Sequence, residues 1–167
     1  MKITQKSLHE LFEYKDGKLF WKIDIRYIKC SKEVIGVEAG FSQNKGKYRC
    51  IKIHEKNYLA HRLIFLMHHG HLPRKVDHID GDGNNNLIKN LRPATNPQNG
   101  YNSKLYKNNT TGFKGVSFNK KNKNFHARIR VGGNSSMHLG TFITAEEAYE
   151  AYKKAAIKYH GEFANFG

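Results

Sequence analysis

The spacing of hydrophobic and polar positions changes along the chain, and its first two patterns predict a helix and a hairpin. Residues 4–13 have apolar side chains at helical spacing, with Thr4 or Ser7 as the cap. The dipeptide Asp16-Gly17 lies between aromatic flanks and favours a type I′ turn. A short helix followed by a β-hairpin is therefore expected in this region.

A second helix is predicted after a region of weaker pattern. Residues 25–40 have no clear periodicity and are expected to be irregular, and a turn at residues 44–46 joins two strand-like pieces. Residues 58–69 then have helical spacing, and Gly70 is a natural stop for a helix. The two basic residues near its start, at positions 61 and 62, either contact a phosphate or pair inside the fold.

The middle of the chain predicts a strand, a loop, a second strand and a helix in succession. The first strand is residues 75–79, and the polar loop 80–86 follows it. The chain is expected to return as a strand over residues 90–92 and to form a helix from Asn96, its cap, to about residue 105. Glycine and asparagine are concentrated in the loop, so this unit combines a tight turn with polar side chains.

The second half of the chain predicts three strands and one helix. Its clearest strand alternates apolar and polar side chains, which gives one apolar and one cationic face. The apolar positions are Phe125, Ala127, Ile129 and Val131, and the polar ones are His126, Arg128 and Arg130. Thr144 and Glu147 then form a capping box at the start of a helix that Gly161 ends.

The charge of the chain favours a polyanionic partner. The 167 residues contain 29 Lys and Arg against 14 Asp and Glu, a formal net charge of +15. Cations that neutralise phosphates release condensed counterions, so nucleic acid is favoured over a membrane surface or a merely basic surface. Cys30 and Cys50 form no CxxC pair, and no apolar signal core is seen. A protein with two free thiols in a reducing cytoplasm is expected.

Asp77 and His78 are the candidates for chemistry on a phosphodiester. Imidazole titrates near neutrality, so His78 is a plausible base for activating water. The carboxylate of Asp77 is a hard oxygen ligand for Mg²⁺ or Mn²⁺, and the amide of Asn99 could supply a second oxygen. Neighbouring strand residues normally face opposite ways, so Asp77 and His78 share a site only if the strand ends or twists there.

Simpler interpretations of the same residues are also open. The loop DGDGNNN resembles a calcium loop, but Asn85 and Leu91 stand where its glycine and final glutamate should be. A lone histidine is more often structural than basic. The HHGH segment at 68–71 has no obvious fourth ligand for a metal, so a surface position is expected.

The motifs DH, NLR and QNGYN at this spacing resemble the HNH endonucleases, in the variant whose last histidine is asparagine. The stretch LAHRLIFLMHHGHLPRKVDHIDGD also resembles phage and intron-encoded homing members of that family. The resemblance covers about the first hundred residues and implies a ββα-metal fold with its core at about residues 74–105.

This resemblance also implies roles for individual residues. His78 would be the general base that activates water, and Asp77 and Asn99 would hold one divalent cation, Mg²⁺ or Mn²⁺. Asn90 would hold the loop by backbone hydrogen bonds so that His78 is oriented, and Asn102 would have a supporting role. The products implied are 5′-phosphate and 3′-hydroxyl ends.

The segments TGFKGVSF, FHARIRV and HLGTFITAEEAYEAYKKAAIKYHGEFANF are similar to the AP2 domain, over nearly all of residues 109–167. The resemblance implies a three-stranded antiparallel sheet in the major groove, braced by one helix. The DNA-facing positions it implies are Lys114, Ser117, Arg128, Arg130, Ser136 and His138. The two arginines could read bases or bind phosphates, and these alternatives are open.

These features together predict an α+β protein with two domains. Residues 1–105 are the nuclease domain, 106–112 the linker and 113–167 the DNA-binding domain. The expected function is that of a homing-type DNA endonuclease, in which one active site per chain nicks double-stranded DNA as a monomer. Its expected location is the cytoplasm of a bacterial host, away from any membrane. The alternative is a DNA-binding regulator with an idle nuclease fold.

Overall fold

Residues 3–23, 35–43, 46–133 and 135–167 are described by the structure, which is a computed structural model. The chain divides into two compact units, Met1–Ala94 and Thr95–Gly167. Both contain helices and small antiparallel sheets, so the predicted mixture of α and β structure is confirmed. The predicted domain boundaries themselves stay a prediction.

The first unit has two helices and seven strands among its described residues. In chain order they are α1 (Gln5–Leu11), β1 (Phe12–Lys15), β2 (Lys18–Trp21), β3 (Phe41–Gln43), β4 (Tyr48–Ile53), β5 (Lys56–Leu59), α2 (Ala60–His69), β6 (Lys75–His78) and β7 (Leu91–Ala94). The strands form a β1-β2 hairpin, a β3-β4-β5 sheet and a β6-β7 hairpin. Their shared core lies around α2, whose Leu63, Ile64 and Phe65 are almost fully buried.

The predicted N-terminal helix and hairpin are confirmed. Thr4 caps α1 and accepts a hydrogen bond from the backbone N–H of Ser7 at 3.2 Å. Asp16 and Gly17 both have positive φ, 48° and 79°, as a type I′ turn requires. The resulting register places Phe12 opposite Trp21, and both side chains are buried.

The second helix begins later than predicted, because a strand precedes it. Residues 56–59 pair with β4 as β5, after a tight turn in which His54 and Glu55 have φ of 45° and 64°. The helix expected from Tyr58 therefore starts at Ala60. It ends as predicted at Gly70, which has φ 71°. Of the predicted irregular residues 25–40, the described part, 35–40, forms no helix or strand apart from one bridge at Glu38. Residues 25–34 and most of the turn at 44–46 lie outside the described residues.

The strand, loop, strand and helix succession is present with shifted boundaries. β6 ends at His78, one residue before the predicted end, and pairs antiparallel with β7. The following helix, α3 (Asn96–Tyr101), belongs to the second compact unit. Its cap is Thr95 and not Asn96, because the Thr95 side chain and Gln98 form a capping box.

The second unit also contains β8 (Val116–Asn119), β9 (Asn124–Arg130), β10 (Ser136–Phe142) and α4 (Ala145–His160). The antiparallel sheet has the order β10-β9-β8, and α4 packs on it. Ala127 and Ile129 are buried beneath α4, whereas Arg128 and Arg130 are exposed, so the predicted alternation along β9 is confirmed. Thr144 and Glu147 form the predicted capping box.

Two smaller features complete the fold. Cys50 is a buried free thiol, and Cys30 lies outside the described residues. Among the residues the structure describes, no helix is both long and apolar enough to cross a bilayer.

Candidate active site

His78 is the last residue of β6 and is buried, with 6% of its surface exposed. Its Nε2 lies 2.8 Å from Oδ1 of Asn86, another buried side chain. An amide oxygen only accepts hydrogen bonds, so Nε2 of His78 must carry the proton. In the neutral ring, Nδ1 is then the nitrogen with the basic lone pair.

The loop between β6 and β7 is held by a network centred on Asn90. The Asn90 Oδ1 accepts a hydrogen bond from the N–H of Asp80 at 3.1 Å, and its Nδ2 donates to Asp80 Oδ1 at 2.9 Å. The same Nδ2 donates to the carbonyl of Asn85 at 2.7 Å, and the Asn90 carbonyl accepts from Ile79 N–H at 2.9 Å. Asn90 therefore closes the loop with both its side chain and its backbone.

A second histidine packs against His78. The rings of His61 and His78 meet edge to face with centroids 4.8 Å apart, and His61 is also buried. Burial, followed by the nearby His78 and Arg62, lowers the pKa of His61 to about 3. His61 is therefore neutral near pH 7. Arg62 donates to the carbonyls of Pro73 and Arg74, so it pairs inside the fold, whereas His61 is buried in ring contacts.

Asp77 is held by an arginine on the neighbouring strand. Arg92 stands opposite Asp77 in the β6-β7 register, and its Nε and Nη2 lie 3.0 and 2.9 Å from Asp77 Oδ2. Both residues are buried, with 5% and 8% of their surfaces exposed. An ionised carboxylate has about four lone-pair sites, so the same carboxylate can bind an arginine and a metal ion together.

The other predicted ligand lies in the second unit. Asn99 is an exposed residue of α3, and its predicted place beside Asp77 and His78 stays a prediction. Within the described ranges, no group of three or more His, Cys, Asp or Glu side chains is placed to hold a metal. The predicted site has only two protein ligands, the Asp77 carboxylate and the Asn99 amide, so the lack of such a larger group among the described residues does not test it.

The exposed face of the second unit's sheet brings together most of the predicted DNA-facing residues. In the β9-β10 register Arg130 stands opposite Ser136, and Arg128 opposite His138. All four are exposed, as is Ser117 on β8. This face therefore presents two guanidinium groups beside hydroxyl and imidazole side chains.

Lys114 differs from these residues because its ammonium binds backbone carbonyls of the same unit. Its Nζ donates to the carbonyls of Tyr101 and Ser103 at 2.8 and 2.5 Å. Burial lowers the pKa of Lys114 to about 8. It borders a cavity of about 320 Å³ that Arg128 and Arg130 also line.

Three residues of the site were not predicted from the sequence. Asn86 was one of three consecutive asparagines assigned to a polar turn, and His61 was one of two alternatives at a helix start. Arg92 had a usable signal. A hairpin closed between His78 and Leu91 places residue 92 opposite Asp77, and opposite charges at such a pair stabilise it.

The region that contains these residues resembles known proteins. A family model described as HNH endonuclease matches residues 58–101. Protein 3.8 of Escherichia phage T7 is 31% identical over 91 residues, covering 54% of this chain and 74% of that protein. No solved structure matches the chain.

A second set of relatives shares a shorter segment. An AP2-like ethylene-responsive transcription factor of Oryza sativa subsp. japonica and one of Arabidopsis thaliana are each 50% identical over 50 residues, 29% of this chain. The chain spans only 8% and 10% of the lengths of those two proteins. The similarity therefore concerns one short segment of each transcription factor.

Proposed function

Because the chain belongs to the family of phage T7 protein 3.8 and carries an HNH endonuclease domain at residues 58–101, we propose that it is a metal-dependent DNA endonuclease of the homing type. The observation that carries the proposal is the buried contact between His78 and Asn86. It puts the proton on Nε2 and makes Nδ1 the basic nitrogen of the neutral ring, as a general base requires.

In this proposal His78 accepts a proton from the water that attacks the scissile phosphate. The water oxygen bonds to phosphorus, the bond from phosphorus to the 3′ oxygen breaks, and that oxygen takes up a proton from solvent, which leaves 5′-phosphate and 3′-hydroxyl ends. Asn90 keeps the β6-β7 loop closed, and Asn86 keeps the His78 ring in its tautomer. His61 remains neutral beside His78 and so does not repel the proton that His78 takes up.

Asp77 and Asn99 would hold one divalent cation, Mg²⁺ or Mn²⁺. Their chemistry fits, since hard cations take carboxylate and amide oxygens and Mg²⁺ keeps several waters. When bound, the cation would neutralise charge on the phosphate and the leaving oxygen. Arg92 fixes the Asp77 carboxylate in place for that task. β6, β7 and α3 follow one another in the order of a ββα-metal fold, which is part of the proposal.

The test is nicking of supercoiled plasmid containing the native target by the full chain. Open-circular product with 5′-phosphate ends is expected in Mg²⁺ or Mn²⁺, and none is expected in excess EDTA. Equal nicking in EDTA would contradict metal dependence. DNA binding with no nicking in either metal would favour the alternative, a regulator with an idle nuclease fold.

We further propose that the second unit places the nuclease on DNA as an AP2-type module. Support comes from the AP2-like relatives and from the exposed sheet face that carries Arg128 and Arg130. The β9 backbone there is well anchored, because the Arg130 carbonyl accepts a hydrogen bond from His160 Nε2 at 2.7 Å. Ser117, Ser136 and His138 would supply further contacts.

Arg128→Ala combined with Arg130→Ala is expected to weaken DNA binding while slow cutting of non-specific DNA persists. Each lost phosphate contact should reduce the slope of log K against log salt by about 0.9, so the pair should reduce it by about 2. Gel-shift titration at several salt concentrations measures this. Lys154→Ala with Lys158→Ala removes the same charge from α4 and is the control. Unchanged affinity in the arginine variant would refute the role.

A further inference from the structure

The β1-β2 hairpin, which lies outside residues 58–101, touches the backbone that carries Asn86. A Cβ added to Gly17 would lie 2.9 Å from the amide nitrogen of Leu87 and 3.0 Å from the carbonyl carbon of Asn86. The turn of the hairpin therefore lies directly against the loop segment, with no room for a side chain between them.

A hydrogen bond from the same hairpin joins this segment one residue further on. The backbone N–H of Ile88 donates to the hydroxyl of Tyr14 at 3.0 Å. The Tyr14 ring is itself anchored, because it meets His68 of α2 edge to face with centroids 4.5 Å apart. One side of the loop is thus fixed to the core through Tyr14.

These two contacts fix the backbone directly after the residue that determines the tautomer of His78. The Gly17 contact is made at the peptide bond between Asn86 and Leu87, and the hydrogen bond is made at Ile88; Oδ1 of Asn86 is the acceptor 2.8 Å from His78 Nε2. We propose that the β1-β2 hairpin is a positioning element of the active site, and that it acts through Asn86 to hold the His78 ring with its proton on Nε2. This inference rests on the proposed nuclease function.

The physical reason is that a neutral imidazole has two tautomers, and its hydrogen-bond partner selects between them. If Asn86 moves away, the ring can carry its proton on Nδ1. Nδ1 then has no lone pair with which to accept a proton from water. Asn86 and the hairpin do not contact the reacting atoms in this account. Their loss is therefore expected to lower kcat and to leave the affinity for DNA unchanged.

The chain offers a matched pair of glycines for the test. Gly17 and Gly36 have φ of 79° and 74°, so alanine is strained similarly at both, but a Cβ on Gly36 has no neighbour within 4 Å. Gly17→Ala and Asn86→Ala in the full chain should each lower kcat by about 10- to 100-fold, with DNA affinity kept. Gly36→Ala should keep kcat within about threefold.

The second readout is the protonation pattern of the His78 ring, measured by ¹⁵N NMR and assigned by its loss in His78→Ala. Wild type, Gly36→Ala and Asn86→Asp, which keeps an acceptor oxygen, should show the Nε2–H tautomer. Gly17→Ala and Asn86→Ala should show a mixture of tautomers. If Gly17→Ala does not fold, Tyr14→Phe replaces it, because this change removes only the hydroxyl. It should also show a mixture of His78 tautomers, with a smaller share of the Nδ1–H form.

The outcomes separate this inference from the nuclease proposal. A wild-type protein that never nicks DNA would remove the nuclease proposal, while the NMR spectra would still show whether the hairpin and Asn86 fix the ring. Wild-type tautomer and wild-type kcat in Gly17→Ala and Asn86→Ala would overturn the positioning role. A changed tautomer with unchanged kcat would overturn it too.

Discussion

Replacing His78 by alanine is expected to lower the rate of metal-dependent DNA nicking by a factor of about 10² to 10⁴, the range for loss of a general base. The attacking water would then have no group positioned to take its proton. His78 is buried and its ring is fixed by Asn86, so the account assigns it to the proton transfer and not to DNA binding. Single-turnover nicking of supercoiled plasmid measures the rate directly.

The control is His71→Ala, because His71 is an exposed histidine that contacts only the carbonyl of His69 among its described hydrogen bonds. Its nicking rate should match wild type. The His78 variant should bind DNA with wild-type affinity, since binding is assigned to the second unit. A His78→Ala protein that folds and nicks at the wild-type rate would contradict the assignment of the base.

Arg92→Ala is expected to destabilise the protein by about 3–5 kcal/mol, the usual cost of removing one residue of a buried ion pair. Both residues of the pair are buried, and Nε and Nη2 of Arg92 both contact Oδ2 of Asp77. Removal of the guanidinium takes both of these contacts from the buried Asp77 carboxylate on β6. Urea unfolding in EDTA measures the change in the free energy of unfolding.

Two further variants show whether burial is the cause. The double change Asp77→Ala with Arg92→Ala should cost less than Arg92→Ala alone, because no unpaired charge remains. Lys52→Ala breaks the exposed pair with Glu55 and should change the free energy little. If Arg92→Ala costs less than about 1 kcal/mol, the pair behaves like a surface ion pair and the interpretation is wrong.

The elements that the sequence predicted well are those whose signals are local. Asp16-Gly17 selects the type I′ turn by its backbone preferences, and Thr144 with Glu147 caps α4 with side chains three residues apart. The alternation along β9 needs only a period of two. None of these signals depends on where the rest of the chain lies.

The failures come from contacts that the local pattern of residues does not encode. The apolar pattern predicts a helix from Tyr58, while pairing with β4 makes Tyr58 and Leu59 the end of strand β5. Asn86 could not be chosen among three consecutive asparagines, because only the position of His78 distinguishes it. The contact of Gly17 with the same loop joins residues 70 positions apart in sequence.

The part of the site that stays a prediction is the metal centre. Asp77 and His78 lie at the end of β6, whereas Asn99 belongs to α3 of the second unit. The most direct test is a titration of the ¹⁵N-labelled full chain with Mn²⁺, whose unpaired electrons broaden NMR signals of nearby nuclei. The Asn99 side-chain amide and the signals of Asp77 and His78 are expected to broaden together, before all others. Early broadening at the histidines of residues 68–71, with Asn99 and His78 unaffected, would contradict it.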